Sequence, residues 1–195
     1  MIIDTHLLIS NILYKYLSDN MNFKLDRVAF AYGNIKPDFI DNDIKCQHTL
    51  EESLYYVNKY SEKLMKDNLS IKEFSISLGI VCHFACDYFC IYHREGNEKK
   101  GIIEHLSYEL ILHIKLITLL LRGKLKLTNY EILENSLESI ILKLQENYIL
   151  EKKGLTRDID YTLSAALQIS KLIVHSCQLY PESPKTSILK EPLLR

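Results

Sequence analysis

The chain has 195 residues, of which 47% are apolar and 25% charged, which is typical of a soluble globular protein with one sizeable core. Its formal net charge at pH 7 is −1, so no overall basic field attracts duplex nucleic acid or an anionic membrane. This charge balance argues against stable binding to duplex nucleic acid.

Apolar residues recur with helical spacing along the chain and predict an all-α fold with about six helices. The chain contains only 6 glycines and 4 prolines, which agrees with that class. A first helix is predicted around residues 7–16. Residues 31–39 are predicted to form a loop, because Gly33 and Pro37 interrupt the helical period.

Two capping boxes, in which a serine or threonine precedes a glutamate by three residues, predict where the next two helices begin. Thr49 would cap a helix that runs to about Lys66. Ser70 would cap the helix that carries residues 83–93, HFACDYFCIYH. These two helices account for the middle of the chain.

Three further helices are predicted in the second half of the chain. The first covers residues 102–121. The second would begin after a cap at Thr128 and end near residue 151, and the third covers residues 158–178. The most apolar run, residues 110–121, is too short to span a bilayer and is predicted to be a buried helix.

The chain is predicted to be one domain over residues 1–180, followed by a proline-containing tail over residues 181–195. Its beginning, MIIDTHLL, has no basic region and no small-residue cleavage site, so no secretory signal is predicted. A cytoplasmic location with free thiols follows as an expectation from this beginning and from the odd number of cysteines, 5.

The residues that could carry chemistry are histidines spaced four positions from a carboxylate. His83 and Asp87 share a helix face, as do His105 and Glu109, because residues four apart lie roughly 40° apart. His93 follows His83 by ten positions, which on a continuous helix turns it about 80° away and favours a neighbouring metal ion. Two such pairs on consecutive helices are typical of a metal site inside a helical bundle, and these ligand types suit zinc.

Spacing alone leaves two interpretations open, a metal site and a set of hydrogen-bonded core residues. Further ligands are available from other segments, namely His6, Asp38 and His48. The three cysteines of the 82–90 stretch lack C-x-x-C spacing and are interpreted as packing residues, with a thiolate ligand at Cys90 as the alternative.

In chain order, these residues resemble the zinc-dependent phospholipase C family, which includes bacterial phosphatidylcholine-hydrolysing enzymes and the catalytic domain of clostridial alpha-toxin. The family's order is an early His, an Asp after a loop, a His, then His-x-x-x-Asp-x-x-x-x-x-His and His-x-x-x-Glu. All of these side chains occur here in that order, with the same spacing inside both helical motifs. They are His6, Asp38, His48, His83, Asp87, His93, His105 and Glu109.

The resemblance implies two to three zinc ions. The first would be held by the loop aspartate, the following histidine and the first His-x-x-x-Asp pair. The second would take the last three ligands of the series, and the third would take His6, with Asp87 bridging to the first. In the family, a processed N-terminal tryptophan completes the third ion, and this chain contains no tryptophan. The amine of Met1 and the carboxylate of Asp4 are the candidate replacements, and a weak, altered or empty third site is the alternative.

The resemblance also implies a hydrolase in which a metal-activated water attacks the phosphorus of a phosphodiester, with Asp38 as the candidate general base. Phe39 keeps the aromatic residue that follows the loop Asp, and it is the candidate substrate-binding ring for a choline group. A second aromatic position of the family is Lys45 here, which argues against phosphatidylcholine as the natural substrate.

The expected partner is a phosphodiester, such as a phospholipid head group, and no transmembrane segment is expected. One alternative is a single-strand-specific zinc nuclease, in which bases would stack on some of the 13 tyrosines. The other is a non-catalytic zinc-binding domain with an altered third metal site. Because the family is mostly secreted, secretion stays open as the alternative to a cytoplasmic location.

Overall fold

The computed structural model describes residues 1–39, 48–93, 101–125, 127 and 136–177. Within those residues it contains seven α-helices, two 3-10 helices and no strand, so the all-α class is confirmed. The helices are α1 (Ile3–Met21), α2 (Arg27–Ile35), α3 (Leu50–Lys66), α4 (Ile71–Asp87), α5 (Ile102–Leu121), α6 (Leu137–Leu150) and α7 (Leu155–Ser176). Short 3-10 helices, Lys36–Asp38 and Ile91–His93, follow α2 and α4. The predicted tail and the predicted cap at Thr128 lie outside the described residues.

Helix α4 is the central element of the bundle. It packs against α1, α2, α3 and α7, and every residue from 78 to 90 is buried. A helix buried on all sides needs apolar residues around its whole circumference. His83 and Asp87 are exceptions to that rule, and their full burial requires partners that satisfy them.

The prediction of a loop over residues 31–39 is wrong for its first half, because α2 continues to Ile35. Gly33 lies inside α2, where it allows the backbones of α2 and α4 to touch at Gly79. A Cβ atom on Gly33 would overlap a backbone carbonyl oxygen of α4, and one on Gly79 would lie 2.5 Å from the Phe30 carbonyl oxygen. The glycine therefore serves close helix packing rather than a turn.

The capping box predicted at Ser70 is confirmed. The Ser70 hydroxyl accepts a hydrogen bond from the Glu73 amide, and the Glu73 carboxylate accepts one from the Ser70 amide at 3.0 Å. Thr49 is the N-cap residue of α3 as predicted, but its side chain makes no capping hydrogen bond. Helix α4 ends at Asp87, so the angle between His83 and His93 that was predicted for a continuous helix does not apply.

A buried polar network joins α5, α6 and α7. Asp158 accepts hydrogen bonds from the Tyr148 hydroxyl at 2.8 Å, from the Arg157 guanidinium at 2.9 Å and from the Tyr108 hydroxyl. The Arg157 guanidinium also stacks 3.8 Å from the centre of the Tyr148 ring. This network fixes α5, which carries His105 and Glu109, against the start of α7.

Helix α5 has the predicted bounds, but the prediction that residues 110–121 are buried is wrong for its outer face. Leu112 and Leu116 are buried, whereas other apolar side chains of α5 are exposed. The exposed residues are Ile102, Ile103, Leu106, Leu110, Ile111, Ile114, Leu120 and Leu121. None of the described helices has the length and apolar character that crossing a membrane requires.

Candidate metal centre

The structure brings all the candidate ligands together in one interior cluster. Helix α1 carries His6, and the 3-10 helix after α2 carries Asp38. His48 precedes the N-cap residue of α3. The remaining ligands come from α4, from the 3-10 helix that follows it, and from the first turns of α5. The cluster divides into three groups that meet at Asp87.

The first group consists of Asp38, His48, His83 and Asp87. His83 Nε2 lies 3.3 Å from Asp87 Oδ2 and 3.2 Å from His48 Nδ1, and that His48 atom lies 3.0 Å from Asp87 Oδ2. Asp38 Oδ1 lies 3.7 Å from His83 Nε2 and 4.0 Å from His48 Nδ1. Ligand atoms around a tetrahedral zinc are separated by roughly 3.3 Å, given zinc–ligand bonds near 2.0–2.1 Å. The residues of this group fit one such ion.

A backbone carbonyl fixes the orientation of His83. Its Nδ1 lies 2.8 Å from the carbonyl oxygen of Asn34. Because a carbonyl oxygen can only accept, Nδ1 carries the proton and the lone pair of Nε2 faces the cluster. Asn34 follows Gly33, so the contact between Gly33 and Gly79 determines where this carbonyl lies.

The second group consists of His93, His105 and Glu109. Glu109 Oε1 lies 2.8 Å from His105 Nε2 and 3.2 Å from His93 Nε2. The ring of Tyr92 stacks on His105 with 5.0 Å between ring centres and 9° between planes. The ligand atoms of Cys90, His93 and Glu109 all lie within 4.8 Å of one another, whereas those of His93, His105 and Glu109 do not form a group of that size. Burial of Cys90 raises the pKa of its thiol to about 12, which favours the neutral thiol.

The third group contains His6, which is fully buried on α1. Its Nε2 lies 3.3 Å from Asp87 Oδ1, yet neither ring nitrogen makes a hydrogen bond within the described residues. Burial lowers the pKa of His6 to about 3, so the ring is neutral. A buried imidazole with an unused lone pair is costly unless a cation or donor satisfies it.

The α-amino group of Met1 lies where the three groups meet. It is 2.8 Å from Asp87 Oδ1, 3.1 Å from His93 Nε2 and 3.2 Å from Glu109 Oε1. Burial alone would lower the pKa of this amine, but the attraction of Asp87 and other anionic groups raises it to about 11. Asp4, the other candidate for the third ion, is exposed.

The buried carboxylates stay ionised despite their burial. Burial by itself would raise the pKa of Asp87, but the charge of the nearby Met1 amine holds it well below its usual range. The same balance lowers the pKa of Glu109 to about 2. Asp38 differs, because burial raises the pKa of its carboxyl group. The centre therefore holds two anionic carboxylates and one carboxyl group better able to accept a proton.

Two further positions were predicted to concern substrate binding. Phe39, the predicted substrate-binding ring, follows Asp38 and is 50% exposed. Lys45 lies outside the described residues. The sequence analysis missed the Asn34 carbonyl and the Tyr92 ring, because a backbone atom and a stacking contact leave no recognisable spacing in the sequence.

A family model described as zinc dependent phospholipase C matches residues 5–159. The matched range covers well over half of the chain and contains all the candidate ligand side chains. The curated proteins and the solved structures contain no match to this chain.

Proposed function

The chain belongs to the zinc-dependent phospholipase C family, and from this premise we propose that it hydrolyses phosphodiesters at a centre of two to three zinc ions. The observation that carries the proposal is the position of Asp87. Its Oδ1 lies 3.3 Å from His6 Nε2, and its Oδ2 lies 3.0 Å and 3.3 Å from nitrogens of His48 and His83. One carboxylate thus faces two groups of imidazole nitrogens, as a ligand that bridges two cations does.

In the proposed centre, Asp38, His48, His83 and Asp87 would hold one ion. A second would be held by His93, His105 and Glu109, and a third by His6 with Asp87 and the Met1 amine, which would have to release its extra proton to bind the ion. Bound zinc would polarise the phosphate oxygens and lower the pKa of a nearby water. The chain's own residues supply the orientation, since Asn34 fixes the tautomer of His83 and Tyr92 holds the ring plane of His105.

Asp38 is proposed to accept the proton of the attacking water. It lies at the rim of the first group, with 22% of its side chain exposed, and its contacts to the histidines are the longest in that group. Burial raises the pKa of its carboxyl group, which brings it closer to the range in which a carboxylate is an effective base. Phe39, next to it and half exposed, is proposed to contact a choline group of the substrate.

The proposal is tested by measuring zinc content and phosphodiesterase activity in His83→Ala and Asp87→Asn. Both variants are expected to lose bound zinc and turnover, because each removes a ligand of the first group. His175→Ala is the matched control, since His175 is exposed near the end of α7 and outside the cluster. Full zinc content and full turnover in both His83→Ala and Asp87→Asn would contradict the proposal.

A panel of substrates separates the proposal from the two alternatives. Turnover of phospholipids or small choline phosphodiesters supports a phospholipase. Cleavage of single-stranded nucleic acid without cleavage of those compounds would favour a nuclease. Bound zinc with no turnover on any phosphodiester would favour a structural or sensing role.

A further inference from the structure

The outer face of α5 is apolar along its whole length. Ile103, Leu106, Leu110, Ile114 and Leu121 are exposed at 81%, 55%, 53%, 55% and 82%. Their spacings of three, four, four and seven residues place them in one stripe, because helix turns repeat every 3.6 residues. We call these residues the α5 stripe. Single exposed apolar residues are ordinary, but a continuous stripe on one helix marks an interaction surface.

The opposite side of α5 faces the core, where Leu112 and Leu116 are buried. The helix is therefore apolar on both sides, a pattern found in helices that are covered on both sides. The described part of the chain covers only the inner side, as the exposure of the stripe shows. Something outside the described residues is expected to cover the other side.

At the first turn of α5, the exposed apolar surface borders the candidate metal centre. Helix α5 supplies His105 and Glu109. Ile102 lies three positions before His105 in the sequence, and Leu106 lies one position after it. The side chain of His105 is 35% exposed, so the centre reaches the surface beside these apolar residues. A surface that binds the stripe thus comes to lie next to the place where a substrate would enter.

The charges around the stripe are mainly positive. Lys115 lies on α5, and Arg122 and Lys124 follow its last turn at exposed positions. Glu104 is the exposed acidic residue of the helix, since Glu109 is buried against histidines. An apolar helix face with neighbouring cations is suited to the boundary between lipid head groups and acyl chains, where the cations meet lipid phosphates.

We propose that the α5 stripe docks on the surface of a phospholipid bilayer, with α5 lying in the plane of the interface. The inference rests on the proposed function, because a lipid phosphodiester in that surface would then lie beside His105. The helix lies on the bilayer and does not span it.

The test measures binding of the zinc-loaded full chain to vesicles of phosphatidylcholine, with and without phosphatidylserine, by flotation. The test variant carries Ile103→Gln, Leu110→Gln and Ile114→Gln. Its partition into the vesicle fraction is expected to fall by about tenfold or more, because interfacial binding scales with buried apolar area. Phosphatidylserine is expected to strengthen the binding of the unchanged protein.

A matched control removes three exposed apolar side chains from other helices, with Val28→Gln, Tyr55→Gln and Tyr56→Gln. These residues are exposed at 79%, 64% and 56%. The control is expected to float like the unchanged protein. Equal melting temperatures and equal zinc content in all three proteins show that the substitutions act on the surface and not on the fold.

Hydrolysis of a soluble phosphodiester is measured in parallel and is expected to be equal in the three proteins. Vesicle binding without any hydrolysis would refute the proposed activity and still support the docking surface. The docking proposal is overturned if the unchanged protein does not float, or if the test variant floats equally well. If the unchanged protein is a dimer and the test variant is a monomer, the stripe is an interface between two copies, and the docking proposal is overturned. If a dye for apolar surfaces binds the stripe only after residues 178–195 are deleted, the tail covers the stripe, and the docking proposal is also overturned.

Discussion

Two aspartates are buried among polar partners in the described part of the chain, and the partners differ in kind. Asp158 is 1% exposed and accepts hydrogen bonds from Arg157, Tyr148 and Tyr108. Each partner is a donor that carries its own hydrogen, and Arg157 also supplies the opposite charge. Asp87 is fully buried as well, but apart from the Met1 amine, which donates to its Oδ1, it faces ring nitrogens of several histidines.

The nitrogens around Asp87 cannot all be donors. His83 uses its hydrogen on the Asn34 carbonyl, so its Nε2 brings a lone pair toward Asp87. The buried ring of His6 is neutral and makes no hydrogen bond within the described chain. The comparison teaches that a buried carboxylate surrounded by obligate donors is a structural feature. One that also faces imidazole lone pairs, as Asp87 does beside the Met1 amine, is suited to bind a cation.

Removal of zinc is the strongest way to test this difference. With free zinc at about 1,000 times its dissociation constant, binding contributes about 4 kcal/mol to the free energy of unfolding. For a chain of this size, a chelator is therefore expected to lower the melting temperature by about 10 °C. Calorimetry with and without chelator measures the shift, and restoring zinc is the control. An unchanged melting temperature would show that the Asp87 cluster is self-sufficient, like the Asp158 network.

The converse substitution is Arg157→Met, which removes the counter-charge of Asp158. The variant is expected to lose about 3 kcal/mol of unfolding free energy, because it leaves a buried carboxylate without its ion pair. Urea unfolding measures the loss, and zinc content is expected to stay unchanged. The double variant with Asp158→Asn serves as the control and should recover most of the stability. A drop in zinc content equal to that of Asp87→Asn would show that the two regions are not independent.

Gly79→Ala connects the packing of α4 to the metal centre. Its Cβ atom would lie 2.5 Å from the Phe30 carbonyl oxygen and 2.8 Å from the Asn34 nitrogen, both backbone atoms that cannot rotate away. The loss is expected to be about 2 kcal/mol of stability. Zinc affinity is expected to fall roughly tenfold, since the displaced Asn34 carbonyl orients His83. Gly101→Ala is the matched control, because a Cβ there meets no atom within 4 Å.

The smallest effect is expected for Ser70→Ala, at the start of the helix that carries both His83 and Asp87. The loss of the capping hydrogen bond should cost about 1 kcal/mol in urea unfolding. Thr49→Ala is the comparison, and it should cost less than half as much because the Thr49 side chain makes no capping bond. Equal losses would mean that the hydrogen bond at Ser70 contributes little.

The parts of the fold that the sequence predicted well depend on neighbours within one helix. The bounds of α5, residues 102–121, and the capping box at Ser70 agree with the structure. The two His-x-x-x-carboxylate pairs share helix faces because the helical period fixes their separation. Contacts of this range are encoded within a few residues, and so a single sequence reveals them.

The parts that the sequence did not predict depend on residues far apart in the chain. The prediction that Gly33 interrupts a helix is wrong because this glycine packs against Gly79 on another helix, a contact that local sequence does not reveal. One of the hydrogen bonds that Asp158 accepts comes from Tyr108, which lies 50 residues earlier in the chain. The outer face of α5 has the composition of a buried helix, and composition does not tell which side of a helix is covered. The resemblance supplied the ligand order, whereas the proximity of the Met1 amine required the packing of α1.

Asp87 lies between two ligand groups, so the binding of one metal ion is expected to affect the binding of the next. Because one carboxylate serves both groups, an ion in the first group would withdraw negative charge from the second. Thermodynamic linkage makes that effect equal in both directions. Zinc titration of this chain should therefore give coupled steps with unequal affinities rather than identical independent sites. The shared aspartate would then set how much zinc the protein holds when the metal is scarce.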